Sequence, residues 1–169
     1  MLAKNEKTER HVLSVLVDNE PGVLGRVVGL FSGRGYSIES LTVSEIEHDG
    51  HRSRITIVTS GTPSIIDQIE AQLGRLVPVH KVVDLTNSGP SIEAELALIK
   101  VAGKDSVKAL ELANEWGATV VDKTSSSYVF QIAATSAKLE EFIALMVPLG
   151  LVEVSRTGIA AISCGPRGM

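Results

Sequence analysis

Cysteine occurs once in the 169 residues, at Cys164, so no internal disulfide framework is available and the chain fits a reducing compartment, the cytoplasm. Aromatic residues are almost as scarce. One Trp, two Tyr and three Phe leave the core to Val, Ile, Leu and Ala. No stretch reaches the roughly 18 apolar residues of a membrane span. Residues 1–10 are too polar for a signal peptide or an anchor and read as a mobile tail. An excess of positive charge is missing too: with a formal net charge of −4 and a pI near 5.6, the chain lacks the Lys and Arg surplus that neutralises phosphates, which argues against nucleic acid as a partner.

Convergent catalytic groups are also lacking. Cys164 stands beside Gly165 and Pro166 with no His near it in sequence, and reads as a structural residue. The run Gly29 to Gly35 has neither the Lys-Ser/Thr ending of a phosphate loop nor the strand-first placing of a dinucleotide fingerprint. His48, Asp49 and His51 flank an Asp-Gly turn. Three polar residues in a hairpin are by default solvated rather than metal ligands, so an enzyme acting alone is the weakest reading.

What remains is an ordinary globular composition, 44% hydrophobic and 21% charged, with room for one or two small domains. Leu13–Val17 reads as a strand, Pro21–Gly35 as a helix, and Tyr36–Ile46 and Arg52–Ser60 as strands joined by the Asp-Gly turn. A helix capped by Thr62 follows, then a strand over Val77–Leu85. The order is β-α-β-β-α-β, the ferredoxin-like arrangement. The turn formers of Thr86–Ser91 mark a boundary, after which the same order recurs: strand Ala94–Val101, helix Asp105–Trp116, strands Ala118–Lys123 and Tyr128–Ala134, a helix capped by Ser136 and a final strand Leu151–Ser163. The expected class is α+β, two tandem ferredoxin-like units, with a tail (1–10), a first domain (11–86), a linker (87–93) and a second domain (94–169). In the first unit the alternate set Val12, Ser14 and Leu16, together with Ile38 and Val43, is too apolar for a wet sheet face. Association of chains by sheet edges or faces is therefore expected, most simply as a two-fold homodimer.

The stretch Asp18–Val43 organises the chain. Pro21 suits the first position of a helix whose initial amides, on Gly22, Val23 and Leu24, have no intrahelical partners and sit at the positive end of the dipole. A small carboxylate fits there, and the amide oxygen of Asn19 can accept from an ammonium group. Two readings stay open on residue chemistry: an amino-acid site, or a helix that Asn19 merely caps. Gly25, Gly29 and Gly33 recur four residues apart, and Gly25 and Gly29 at least forfeit about 1 kcal/mol each against alanine inside a helix. Close approach of another backbone, within the domain or across a dimer, is the reason they suggest.

Leu13–Val17, Asn19, Pro21-Gly22-Val23-Leu24, Arg26-Val27, Gly29-Leu30-Phe31-Ser32, Arg34-Gly35-Tyr36 and Ile38–Val43 closely resemble the small regulatory subunits of acetolactate synthase (acetohydroxyacid synthase). The likeness continues through Ser53–Val58, Gln72-Leu73, Glu95–Val101, Lys138-Leu139-Glu140 and Arg156–Ala160, nearly the whole chain. The resemblance implies an ACT domain over the first unit and no active site or cofactor of the chain's own. It implies a large catalytic partner that uses thiamine diphosphate, magnesium and a flavin (FAD), activated by the small subunit and made sensitive to valine in branched-chain amino acid biosynthesis. It also implies a valine site between two ACT domains, with Asn19, Gly22, Val23 and Leu24 of one chain facing Ser37 and Ile38 of the other. The family commonly has Asn where Ser37 stands, and the shorter Ser37 removes a potential hydrogen bond to the ligand. The alternative is a stand-alone tandem sensor acting on another enzyme or on transcription.

Overall fold

The computed structural model describes residues 7–47 and 51–169. The chain divides into two compact units, Met1–Ile92 with Ile159–Met169, and Glu93–Gly158. The first contains β1 (Glu9–Asp18), α1 (Val23–Arg34), β2 (Ser40–Glu47), β3 (Arg52–Gly61), α2 (Pro63–Leu73) and β4 (Val79–Asp84). β5 (Ser91–Ala102) leads into the second, which continues with α3 (Ser106–Glu115), β6 (Thr119–Lys123), β7 (Ser127–Ala134), α4 (Ser136–Met146) and β8 (Leu151–Arg156); β9 (Ala160–Ser163) follows and pairs with β5. The sheets are antiparallel, ordered β2-β3-β1-β4 and β6-β7-β5-β8. Both units are thus βαββαβ, and the α+β ferredoxin-like class holds.

Alternation along the strands sets the first core. Leu13, Val15 and Val17 of β1 and Ile55 and Ile57 of β3 point to one sheet face, where they bury against Val23, Val27 and Phe31 of α1 and Ile66, Ile69 and Leu73 of α2. In the second unit Ala97, Ile99 and Val101 meet Ala109, Ala113, Leu139, Phe142 and Met146 in the same manner. The register slips at matching places in the two units, leaving Ile46, His80, Val121 and Val152 as the extra residues on edge strands β2, β4, β6 and β8. All four are exposed, as bulges at sheet edges commonly are.

Thr135 rather than Ser136 caps α4, its hydroxyl accepting from the Lys138 amide, and four further details differ from the sequence expectation. α1 begins at Val23 rather than Pro21, because Gly22 takes the left-handed conformation (φ 88°, ψ −7°) and the Val23 amide donates to the Glu20 carbonyl at 3.4 Å. Glu20-Pro21-Gly22-Val23 is a type II turn with Pro and Gly at the two positions such a turn demands. β2 begins at Ser40 rather than Tyr36. α1 ends on left-handed Gly35 (φ 71°), the Tyr36 amide returns to the Phe31 carbonyl (3.0 Å), and residues 37–39 run as a loop before pairing settles. β5 starts at Ser91, inside the expected linker.

The fourth difference is the largest. The expected final strand breaks at Thr157-Gly158, where Gly158 adopts φ 84°. Residues Ile159–Met169 then leave the second unit and group with the first. Ile159 and Ala161 bury with Val12, Val58 and Leu85 on the sheet face opposite the helices, and the Ile159 amide donates to the Ser40 hydroxyl at 2.9 Å. The range 94–169 therefore does not form one unit. Val12, Ser14 and Leu16 are buried without a second chain, so the apolar outer face no longer requires another copy to cover it.

Candidate functional site

The candidate site forms where β1 runs into α1. The Asn19 amide donates to the His51 carbonyl (2.5 Å) and the Asp18 amide to the Pro78 carbonyl (2.9 Å), so the turn before β3 and the loop before β4 hold the end of β1 from both sides. His80 Nε2 lies 2.5 Å from Asp18 Oδ1. No sequence motif pointed to His80 or Pro78; only β1–β4 pairing carries them there, from some sixty residues along the chain.

At the start of α1 no side chain caps the helix and no acidic residue occupies its first turn. Asn19 therefore makes no side-chain cap to α1, and Gly22 serves the turn that leads into it, as the blander reading has it. Val23 spends its amide in the turn and Arg26 bonds the Gly22 carbonyl (3.0 Å), which leaves Leu24 and Gly25 as the positions whose amides have no intrahelical acceptor. Of the expected donors Gly22, Val23 and Leu24, the Val23 amide is spent in the turn, and Gly25 stands beside Leu24 at the start of the helix. Asn19 and Gly22 are exposed, Val23 is buried, and the Leu24 side chain, 41% exposed, supplies an apolar surface beside the amides.

Ser37 and Ile38 are not brought to this place. They follow the other end of α1, whose 12 residues span about 18 Å at 1.5 Å each. Ser37 is exposed and its carbonyl accepts from the Thr59 hydroxyl at 2.7 Å, which fixes the loop. Ile38 is half-buried against the first core. A Cβ built on Gly25, Gly29 or Gly33 would meet nothing within 4 Å. The thin side of α1 faces open space, so packing inside the unit does not explain it.

Cys164 is exposed. His48 and Asp49 lie outside the described residues. Among the described residues no group of three or more His, Cys, Asp or Glu could hold a metal, and no helix is long and apolar enough to cross a membrane.

Residues 13–81 match the family of the AHAS small subunit-like ACT domain, and residues 94–165 that of the small subunit of acetolactate synthase. The chain is 42% identical over 165 residues to the acetolactate synthase isozyme 3 small subunit of Escherichia coli, covering 95% of this chain and 99% of that protein. It belongs to the acetolactate synthase small subunit family. The family's member from Mycolicibacterium smegmatis is 40% identical over 164 residues, 96% of this chain and 95% of that one. The crystal structure of the small subunit from Thermotoga maritima superposes with a TM-score of 0.87 at 35% identity, covering 94% of this chain and 99% of that one. The family match therefore spans both units, and the turn-and-helix site falls inside the ACT domain.

Proposed function

We propose that this chain is the non-catalytic regulatory subunit of acetolactate synthase: it binds the large catalytic subunit, raises its activity and makes it sensitive to valine. Thiamine diphosphate, magnesium and FAD belong to the large subunit. The observation that carries the effector site is the uncapped start of α1. The Leu24 and Gly25 amides receive the valine carboxylate, the Asn19 side-chain oxygen accepts from the ammonium group, and the exposed Leu24 side chain contacts the isopropyl group.

Ser37 and Ile38 lie a helix length away in the same chain, so they complete the pocket only when a second copy supplies them. A two-fold homodimer does this. With the outer sheet face already covered by Ile159 and Ala161, the open edge of β2 is the natural place for association; exposed Val43 and the bulged Ile46 lie on it. The open side of Gly25, Gly29 and Gly33 then admits the partner's backbone. Valine regulates by favouring the less active arrangement, and a coupling of about 1–3 kcal/mol suffices.

Mixing the purified chain with an acetolactate synthase large subunit tests the reading. Acetolactate formation should rise and the two should co-purify. Unchanged turnover and no complex would reject it.

A further inference from the structure

We propose that the cleft at the end of β7 in the second unit binds a free α-amino acid with a large apolar side chain, held by the open backbone edge at Ala133 and by charges of both signs. The cleft, about 560 Å³, falls within the roughly 300–1,000 Å³ of small-molecule sites. Trp116, Ile132 and Ala134 give it apolar walls, while Glu115 at the end of α3 and Lys138 and Glu141 on α4 supply the charges. Trp116 is set in place by Phe142, their ring centroids 5.5 Å apart. Among the described residues no ion pair engages Glu115, Lys138 or Glu141, so all three are open to a ligand.

The first unit fills the same place with its own chain. Arg54 and Val129 pair with Leu16 and Lys100, the residues at which the β4 and β8 ladders slip, so Val58 and Ala133, equally far along β3 and β7, are equivalent positions. Residues 35–39 join α1 to β2. Within them the Glu39 amide donates to the Val58 carbonyl at 2.8 Å, and Ile38 packs against the core. The second unit has only residues 116–118 between α3 and β6, and β6 starts its pairing at Gln131, short of Ala133. Along β7 the Ser127 carbonyl turns to the β6 side, where it accepts from the Thr124 amide at 2.9 Å. Alternate residues repeat that direction, so the amide and carbonyl of Ala133 face the same side, beyond the start of β6. A free amino acid restores both missing parts. Its carboxylate accepts from the Ala133 amide and Lys138, its ammonium group donates to the Ala133 carbonyl and a glutamate, and its side chain takes the role of Ile38 beside Trp116. Charge of both signs around one backbone edge favours a zwitterion over a peptide segment, whose main chain carries neither.

The site lies in the other unit from the proposed valine pocket, and its test does not depend on that pocket. Trp116 is the chain's only tryptophan, so its emission reports this cleft. The full chain is titrated with leucine and with phenylalanine, and a saturable change in tryptophan emission is expected. 4-Methylpentanoate and 3-methylbutylamine, which are leucine without its ammonium group and without its carboxylate, should each bind about tenfold more weakly, the loss of one charge-assisted hydrogen bond. Lys138→Gln, an exposed substitution, should weaken leucine several-fold, and Asn19→Ala should leave the curve unchanged. An emission that does not respond, the same affinity in Lys138→Gln, or N-acetyl-leucine amide binding as tightly as leucine would overturn the proposal.

Discussion

At the scale of single residues, Gly22 and Ser37 make the sharpest statements. Gly22 has space around it for a methyl group but sits at φ 88°, so Gly22→Ala should lower stability by about 1–2 kcal/mol through backbone strain alone. Urea unfolding checks this. Ser37→Asn lengthens the side chain that the valine reading places across the dimer from the ammonium and carboxylate groups. It should lower the valine concentration for half-inhibition several-fold, a gain of about 1 kcal/mol; no change would remove Ser37 from the pocket.

In the second unit, Glu95 is buried and bonded by Arg156 Nε (2.5 Å), Arg156 Nη2 (2.9 Å) and the Ser136 hydroxyl (2.6 Å), while Arg156 Nη1 also reaches Glu140. The bond from Arg156 chiefly holds the Glu95 carboxyl below its usual range, helped by Ser136 and opposed by burial. Because the folded value is depressed, the stabilisation is present above the unfolded value near pH ~4.3 and fades as pH falls through the folded one. Glu95→Gln should cost about 2 kcal/mol at pH 7 and flatten the acid side of the stability curve. Chemical denaturation at pH 7, 4 and 3 measures both.

At the scale of elements, the C-terminal segment behaves differently from its sequence pattern. Deleting residues 159–169 should expose Val12, Val58 and Leu85, lower the melting temperature and produce concentration-dependent association, read by calorimetry and sedimentation. An unchanged melting temperature would show that the segment is not the cover of this face. It follows that a fragment ending at Leu85 is a poor test of the first unit, since it lacks part of that unit's own wall.

The same segment shows what a sequence can convey. Strands β1, β3 and β7 and helices α2 and α4 were legible because alternation and three-to-four spacing are local signals. The left-handed turn of Gly22 and the break at Gly158 were not, since a glycine does not announce the sign of its φ. The return of Ile159 and Ala161 to the first unit rests on pairing far along the chain, and the approach of His80 to Asp18 does too. Asn19, Gly22 and Leu24 could be grouped from the sequence because they are neighbours in it; that the Val23 amide is spent in a turn depended on where the turn ended and the helix began.

At the scale of the whole molecule, the proposed function is that of a regulatory subunit bound to a catalytic partner. On the proposed reading, two regulators share each valine between the start of one α1 and the loop after the other. Such a subunit acts only by binding differently to two states of its partner, so activation and inhibition must be separable by mutation. Asn19 touches the effector alone in this scheme. The most direct measurement is a valine titration of acetolactate formation by the reconstituted large and small subunits, comparing the parent chain with Asn19→Ala. The account predicts equal activation in the absence of valine and at least a tenfold higher half-inhibitory concentration for the variant. Identical inhibition curves would contradict it.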